Sequence, residues 1–431
     1  MAGDKGFSPL CAAGDEFRPG PLVTAGPAAR TAVRRRAAGG GRTRGGCAIP
    51  YVCYISRHWA YTDYNQPVCE STQLGAVPGW TGGERAPVMD QYVYPRRICK
   101  GDKVGVFAPS SPLAARYGDR LRVGVKALET LLEVEVVVAK QAERLVDGYQ
   151  AGSADERAQA LMDFVRDPEI TAIVATIGGY SSASILPYLD KDELRANPKI
   201  IVGYSDVTAL LVGIQAMAGW VTFHGPTLMT DFGEMPHIDP FTARHFMNAV
   251  ASNQDAGRWL LDDPEEWTNE FLDWGADKWK IGRAPSGRGD REVWAFGTGS
   301  GRLFGGNIST LNYLVGTPYL AAPSEMVFFF EATGADADLA TIQRSLTHLR
   351  QAGILDQVKA VLIGRSPDCV PSGDRSLRDV AIESIPNGTE VPIIADLPFG
   401  HHSPIWTLPL GAEVSVVASE SGSTIEICGR S

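Results

Sequence analysis

The feature that most constrains this chain is an alternation that begins near Lys100. Short, nearly continuous apolar runs are each followed by a stretch of helical spacing. Lys103-Val104-Gly105-Val106-Phe107-Ala108 reads as a buried strand and leads into a Pro-Ser-Ser-Pro turn ending at Pro112. Arg120 to Leu132 has helical spacing, and Val134 to Val138 reads as a second strand. Asp155 to Arg166 is amphipathic, with Ala158, Leu161, Met162 and Val165 on one face. Ile170 to Ile177 and Ile200 to Val202 read as two further strands. Strands that are apolar on both faces, alternating with helices, imply a parallel sheet covered on both sides. The predicted fold class is therefore α/β, starting with a parallel-sheet, Rossmann-like domain. Later strands over Met326–Phe330, Val358–Ile363, Val414–Ala418 and Thr424–Cys428, and a helix from Ala340 to Gln351 ended by Gly353, predict a second, C-terminal α/β domain rich in strands.

The chain has 431 residues, enough for two or three ordinary domains, and its 44% hydrophobic content allows a sizeable core. Residues 1–88 contain the low-complexity run Ala37-Ala38-Gly39-Gly40-Gly41-Arg42-Thr43-Arg44-Gly45-Gly46 and sustain no period. Such a segment buries too little apolar surface to offset its ordering entropy, so a disordered or adventitious extension is expected there. The predicted domains then run over 89–235, over a Trp-rich connector or lid at 236–299, and over 300–431. A net charge of −10 and a pI near 5.3 argue against nucleic acid as the main partner. No uninterrupted apolar run approaches the roughly 20 residues that span a bilayer, and Arg34-Arg35-Arg36 is not followed by the apolar segment of a targeting signal. The seven cysteines are odd in number and show no C-x-x-C spacing. Reduced thiols in the cytoplasm are expected, with no metal and no cofactor.

Chemistry concentrates at Gly203-Tyr204-Ser205-Asp206, between the apolar run ending at Val202 and the helix-like stretch from Val207 to Ile214. A strand, a sharp turn carrying serine and a helix N-terminus together lift a hydroxyl clear of the backbone, near free N–H groups and a positive dipole. The same residues could serve only as a helix cap. A nucleophilic serine needs a base, and the base needs an orienting acid. Glu331 directly follows an apolar strand, where a carboxylate is costly to bury unless paired. His401 and His402 follow Leu397-Pro398-Phe399-Gly400, a loop signal, and spacing does not decide which of the two faces inward.

Other fragments fall in a telling order: Gly101-Asp102-Lys103, Ala108-Pro109-Ser110-Ser111-Pro112, Ile177-Gly178-Gly179-Tyr180, Phe223-His224-Gly225-Pro226, Gly305-Gly306-Asn307, Phe330-Glu331 and Phe399-Gly400-His401. With the serine motif, this order resembles the LD-carboxypeptidase family of serine peptidases over roughly residues 95–431. The resemblance implies a catalytic triad of Ser205, His401 and Glu331. It implies oxyanion donors on Gly179 and Asp206, and substrate contacts at Gly178, Tyr180, Asn307 and Trp274. Asp206 is also expected to cap the helix behind the serine with its side chain. Glu266-Trp267, Leu272-Asp273-Trp274 and Gly301-Arg302-Leu303-Phe304-Gly305-Gly306-Asn307 are similar to the microcin C immunity subgroup, whose substrates are peptidyl or aminoacyl adenylate-like amides. One departure stands out. The subgroup has a second acid after the glutamate and a lysine a few residues on, whereas Ala332-Thr333-Gly334-Ala335-Asp336 follows here. The expected partner is a small peptide or peptidyl-nucleotide substrate, with a homodimer as a possible assembly. Three other readings stay open. One is removal of a terminal D-residue from murein tetrapeptides, with Arg302 as a candidate for the substrate carboxylate. The others are a nucleotide-binding module built on Gly178-Gly179 and a catalytically silent ligand-binding protein.

Overall fold

The computed structural model of the chain describes residues 91–146, 148–251, 257–276, 278–386 and 390–429, so the extension expected over 1–88 lies outside them. Two sheets carry the architecture. The first orders its strands as 408–410, 222–224, 200–203, 170–175, 103–107 and 135–138. Its pairs are parallel except at the edge, where Leu408–Leu410 runs antiparallel to Thr222–His224. Helices Gly118–Leu132, Ala154–Arg166 and Thr208–Ala218 connect and cover it. A capping box of Ser153 and Glu156 starts the second of these helices, satisfying amides that have no partner within the helix. Thr208–Ala218 is apolar nearly all round and accordingly buried nearly all round.

The second sheet has eight strands, in the order 258–260, 422–428, 413–419, 297–307, 326–331, 358–364, 393–397 and 292–295. Its central strands from 297–307 to 393–397 pair in parallel. Two features differ from the sequence reading. Gly297–Asn307 is an eleven-residue strand, although five of its residues are glycine and β propensity argues against it. The reason is close packing: a Cβ on Gly305 would lie 1.7 Å from the Phe329 carbonyl oxygen, and one on Gly299 1.9 Å from that of Lys359. The Trp-rich segment is also not simply a lid. Its strands Arg258–Leu260 and Glu292–Ala295 form the two edges of the second sheet.

Phe328, Phe329 and Phe330 are fully buried. Alternation along the strand sends Phe328 and Phe330 to one face, where their rings lie 5.8 Å apart, and Phe329 to the other, against His224 and Phe399. The C-terminal ends of parallel strands from both sheets converge at this point, where open α/β sheets bind ligands.

Candidate active site

Ser205 directly follows the motif's tyrosine after strand Ile200–Gly203 and opens a short helical turn, Ser205–Val207. Its φ is +63°, in the left-handed region that a β-carbon makes costly, by about 1–2 kcal/mol. Glycine at 203 permits the bend, since a Cβ there would sit 2.7 Å from a Val207 methyl. The strain turns the Ser205 hydroxyl toward His401, whose Nε2 lies 2.9 Å from Oγ. His401 Nδ1 lies 2.9 Å from Glu331 Oε2. Glu331 is the last residue of strand Met326–Glu331 and is wholly buried. Gly364 and Gly400 close over it: a Cβ on either would come within 2.9 Å of the Glu331 β-carbon. Gly400 also takes φ +108°, so glycine both lets the loop turn and lets it pass over the acid.

Asn307 completes the acid's environment. It is the register partner of Glu331 across two parallel strands, and its Nδ2 donates to Glu331 Oε1 at 3.0 Å. The orientation of the amide is set from behind, because Asn307 Oδ1 caps the next helix by accepting from the Thr310 amide and hydroxyl. Burial alone would raise the Glu331 pKa, but the charge and hydrogen bond of His401, then His224 and Asn307, outweigh it and hold the carboxyl below its ordinary value. For His401 burial acts to lower the pKa, and the Glu331 carboxylate more than reverses this, so the imidazole is held above its ordinary value. Tyr204 supports the ring edge-on, with centroids 5.2 Å apart.

His402 points away from Ser205. It is buried, its Nε2 lies 3.4 Å from the Leu397 carbonyl oxygen, and burial with the nearby Arg365 charge pushes its pKa down to about 3. His224 lies behind the triad, buried among Tyr204, Phe329 and Phe399, and burial lowers it to about 4, so it stays neutral.

The Gly178-Gly179 turn lies directly against the serine. A Cβ on Gly178 would be 3.1 Å from Ser205 Oγ and 3.2 Å from the Asp206 nitrogen. Asp206 does not cap its own helix as expected: its Oδ2 accepts from the Ser181 and Ser182 amides, both at 2.9 Å, and so caps the neighbouring short helix Ser182–Tyr188. Two residues that sequence reasoning missed hold the same turn. Ser110 Oγ accepts from the Tyr180 and Ser181 amides at 2.9 Å. Arg157, fully buried, donates to the carbonyls of Pro109 at 2.5 Å and Ser181 at 3.0 Å. Only the position of Arg157 next to Ala158 on the buried face of its helix signals this in the sequence.

Two expectations change. Trp274, which the resemblance implies as a substrate contact, is only 9% exposed. The Arg120 guanidinium covers its ring at 4.4 Å, and Tyr117 and Phe271 pack at 5.6 and 5.8 Å. Arg302 lies at the middle of strand Gly297–Asn307, opposite Met326 at the start of the neighbouring strand, and pairs with Glu413 at 3.0 Å. Tyr180, beside the glycine turn, is 77% exposed. Among the described residues, no cluster of side chains suited to a metal ion is present. None of their helices is long and apolar enough to cross a membrane.

A serine on a strained elbow, a histidine and a buried, hydrogen-bonded glutamate, delivered by strand ends of an α/β body, are the parts of a serine hydrolase. The chain belongs to the LD-carboxypeptidase family of serine peptidases: residues 104–225 match its N-terminal domain and 300–416 its C-terminal domain. It is 33% identical to the microcin C7 self-immunity protein of Escherichia coli over 325 residues, 74% of this chain and 91% of the relative. It is 30% identical to the probable murein peptide carboxypeptidase of Bacillus subtilis over 334 residues, 77% of this chain and 94% of the relative. A solved structure of the microcin C7 self-immunity protein in complex with aspartyl sulfamoyl adenosine resembles it with a TM-score of 0.71 and 31% identity, covering 78% of this chain and 99% of the other. The protein is an enzyme, a serine carboxypeptidase-type hydrolase.

Proposed function

We propose that Ser205, His401 and Glu331 form the catalytic triad and that the substrate is an aminoacyl- or peptidyl-nucleotide amide. The unbroken path from Ser205 Oγ through His401 to buried Glu331, each link 2.9 Å, carries the triad. Likeness to an immunity protein solved with an aminoacyl sulfamoyl nucleoside supports the substrate class. His401 Nε2 takes the Ser205 proton as Oγ bonds to the amide carbon. The carbonyl oxygen gains the charge and accepts from the Gly179 and Asp206 amides, each such donor being worth about 3 kcal/mol. Collapse breaks the C–N bond, and His401 gives its proton to the leaving nitrogen. Water, deprotonated by His401, then releases the acyl group and restores Ser205. Gly178 leaves room for the reacting carbonyl, Asn307 holds Glu331, exposed Tyr180 meets the substrate, and Trp274, covered by Arg120, backs the substrate wall from behind. The second reading, trimming of murein tetrapeptides, rests on the murein carboxypeptidase relative.

Action in the reducing cytoplasm is the location proposed, to be checked by cell fractionation. A homodimer is the assembly proposed, to be checked by sedimentation. The deciding experiment offers aspartyl sulfamoyl adenosine and an L,D-tetrapeptide in parallel, with fluorophosphonate labelling of the serine. Release of aspartate and labelling, both lost in Ser205→Ala, are expected. Turnover of the tetrapeptide alone would favour the murein reading, and turnover that survives Ser205→Ala would overturn the triad.

A further inference from the structure

Arg365 is an unusual buried cation. It directly follows strand Val358–Gly364 and is 8% exposed, yet its hydrogen bonds all go to backbone carbonyls. Nη1 donates to Arg288 at 3.0 Å, and Nη2 to Asp290 at 3.0 Å and Asp396 at 2.8 Å. Its guanidinium carbon lies 4.8 Å from the ring centroid of Trp267, and Nε has no partner. These contacts reach two different pieces of chain. Trp267, Arg288 and Asp290 belong to the Trp-rich segment, where Glu266–Trp267 and Gly287–Arg288 form a small two-stranded ribbon. Asp396 lies next to the end of strand Ile393–Leu397, just before the loop that carries His401, and its φ of +56° is a strained value for a non-glycine residue.

The Arg365 amide also donates to the Leu397 carbonyl at 3.0 Å, the same oxygen that the Phe399 amide reaches at 2.8 Å. Further along, Thr268 and Ser403 exchange two backbone hydrogen bonds, at 2.7 and 2.9 Å, and Trp267 packs edge-on against His402. The ribbon and the histidine loop are thus joined on both sides of His401, and the Arg365 guanidinium bonds to both.

We propose that Arg365 is a positioning residue for His401, and that through it the ribbon of Glu266–Trp267 and Gly287–Arg288 and the histidine loop move as one piece. The inference rests on His401 being the base. Its consequence is that a ligand pressing on the ribbon is felt at Ser205 as a change in how well His401 is aligned.

The test compares Arg365→Lys and Arg365→Ala with the parent, full chain in each case. It reads turnover of aspartyl sulfamoyl adenosine and the pH dependence of fluorophosphonate labelling of Ser205. Lysine keeps the charge but cannot span three carbonyls. Both variants should lose about 10- to 100-fold in kcat and in labelling rate, with KM within about threefold, as expected when a reacting group is misplaced by about 1 Å. Added guanidinium ion should restore part of the Arg365→Ala rate, and methylammonium should not. Parent-like labelling in a folded variant, or a loss that guanidinium leaves untouched, overturns the proposal. If Arg365→Ala does not fold, the lysine variant carries the decision through its kcat and labelling rate. Retained turnover in His401→Ala would instead mark failure of the triad itself.

Discussion

Asn307 and Glu331 end adjacent parallel strands in register, and the asparagine Nδ2 holds the glutamate Oε1 at 3.0 Å. The Asn307 amide nitrogen in turn donates to Thr208 Oγ1 at 3.0 Å, on the helix behind the nucleophile. A single residue therefore fastens the acid's strand to the serine's helix.

Asn307→Ala should leave a buried carboxylate oxygen unpaired and free the acid to rotate. The expected result is a fall of about 10- to 100-fold in kcat, corresponding to the roughly 1.5–3 kcal/mol of a charge-assisted hydrogen bond. Asn307→Asp should be worse, because a second carboxylate would face Glu331. Steady-state kinetics of the two variants check the order, and equal activity of Asn307→Asp and parent would rule the role out.

His401→Ala should lose about 10⁴-fold or more in kcat, as a missing triad base does elsewhere. His402→Ala should keep most of its kcat and lose stability instead, since His402 is buried and packed against Trp267. Kinetics paired with urea melts separate these outcomes, and the reverse pattern would move the base to His402.

The acid limb of kcat/KM should lie above pH 6.5, the ordinary histidine value, because Glu331 raises the His401 pKa and only neutral imidazole can accept the serine proton. The sequence alone places this limb near the ordinary value of about 6.5. Glu331→Gln should move the limb to lower pH and cut kcat by up to about 10⁴-fold. A pH profile that does not shift in this variant would mean that Glu331 does not control His401.

Folding stability should fall as pH drops from 7 to 5. Burial holds His224 and His245 at about 4 and His402 at about 3, so each stays neutral when folded and takes a proton on unfolding. With depressed folded values, their contribution is complete above the unfolded pKa, near 6.5, and is lost below it at about 1.4 kcal/mol per pH unit for each group. The raised His401 works in the opposite direction: its contribution is complete below the unfolded value and is lost as pH rises through the folded one. It therefore does not offset the loss on the acid side. Urea unfolding at pH 7, 6 and 5 measures the slope, and a flat response would contradict it.

Trp274→Ala should cost stability, by about 3–5 kcal/mol for a large aromatic removed from a packed site. Arg120 and Tyr117 lose a ring they pack against in that variant, while Arg120 keeps the Met229 carbonyl and Glu234, so KM should change alike for nucleotide amides and tetrapeptides. A rise in KM confined to the nucleotide amide, with Tm near the parent's, would instead identify base stacking as its role.

Local pattern determined much of this protein. Apolar runs separated by helical spacing identify the parallel strands of the first sheet, because a strand buried on both faces must be continuously apolar. Motif order then singles out Ser205, Glu331 and the histidine pair. What local pattern could not decide was anything set by close approach between distant segments. The strand Gly297–Asn307 runs against propensity and exists because its glycines let neighbouring backbones come near. His401 rather than His402 meets Ser205, 196 residues away, because Gly400 carries the loop over Glu331. Arg157, Ser110 and Asp206 hold the glycine turn through partners 24 to 71 residues away, and no spacing along the chain encodes such bonds. Periodicity reports which side of an element is buried, and only the folded chain decides which buried groups meet.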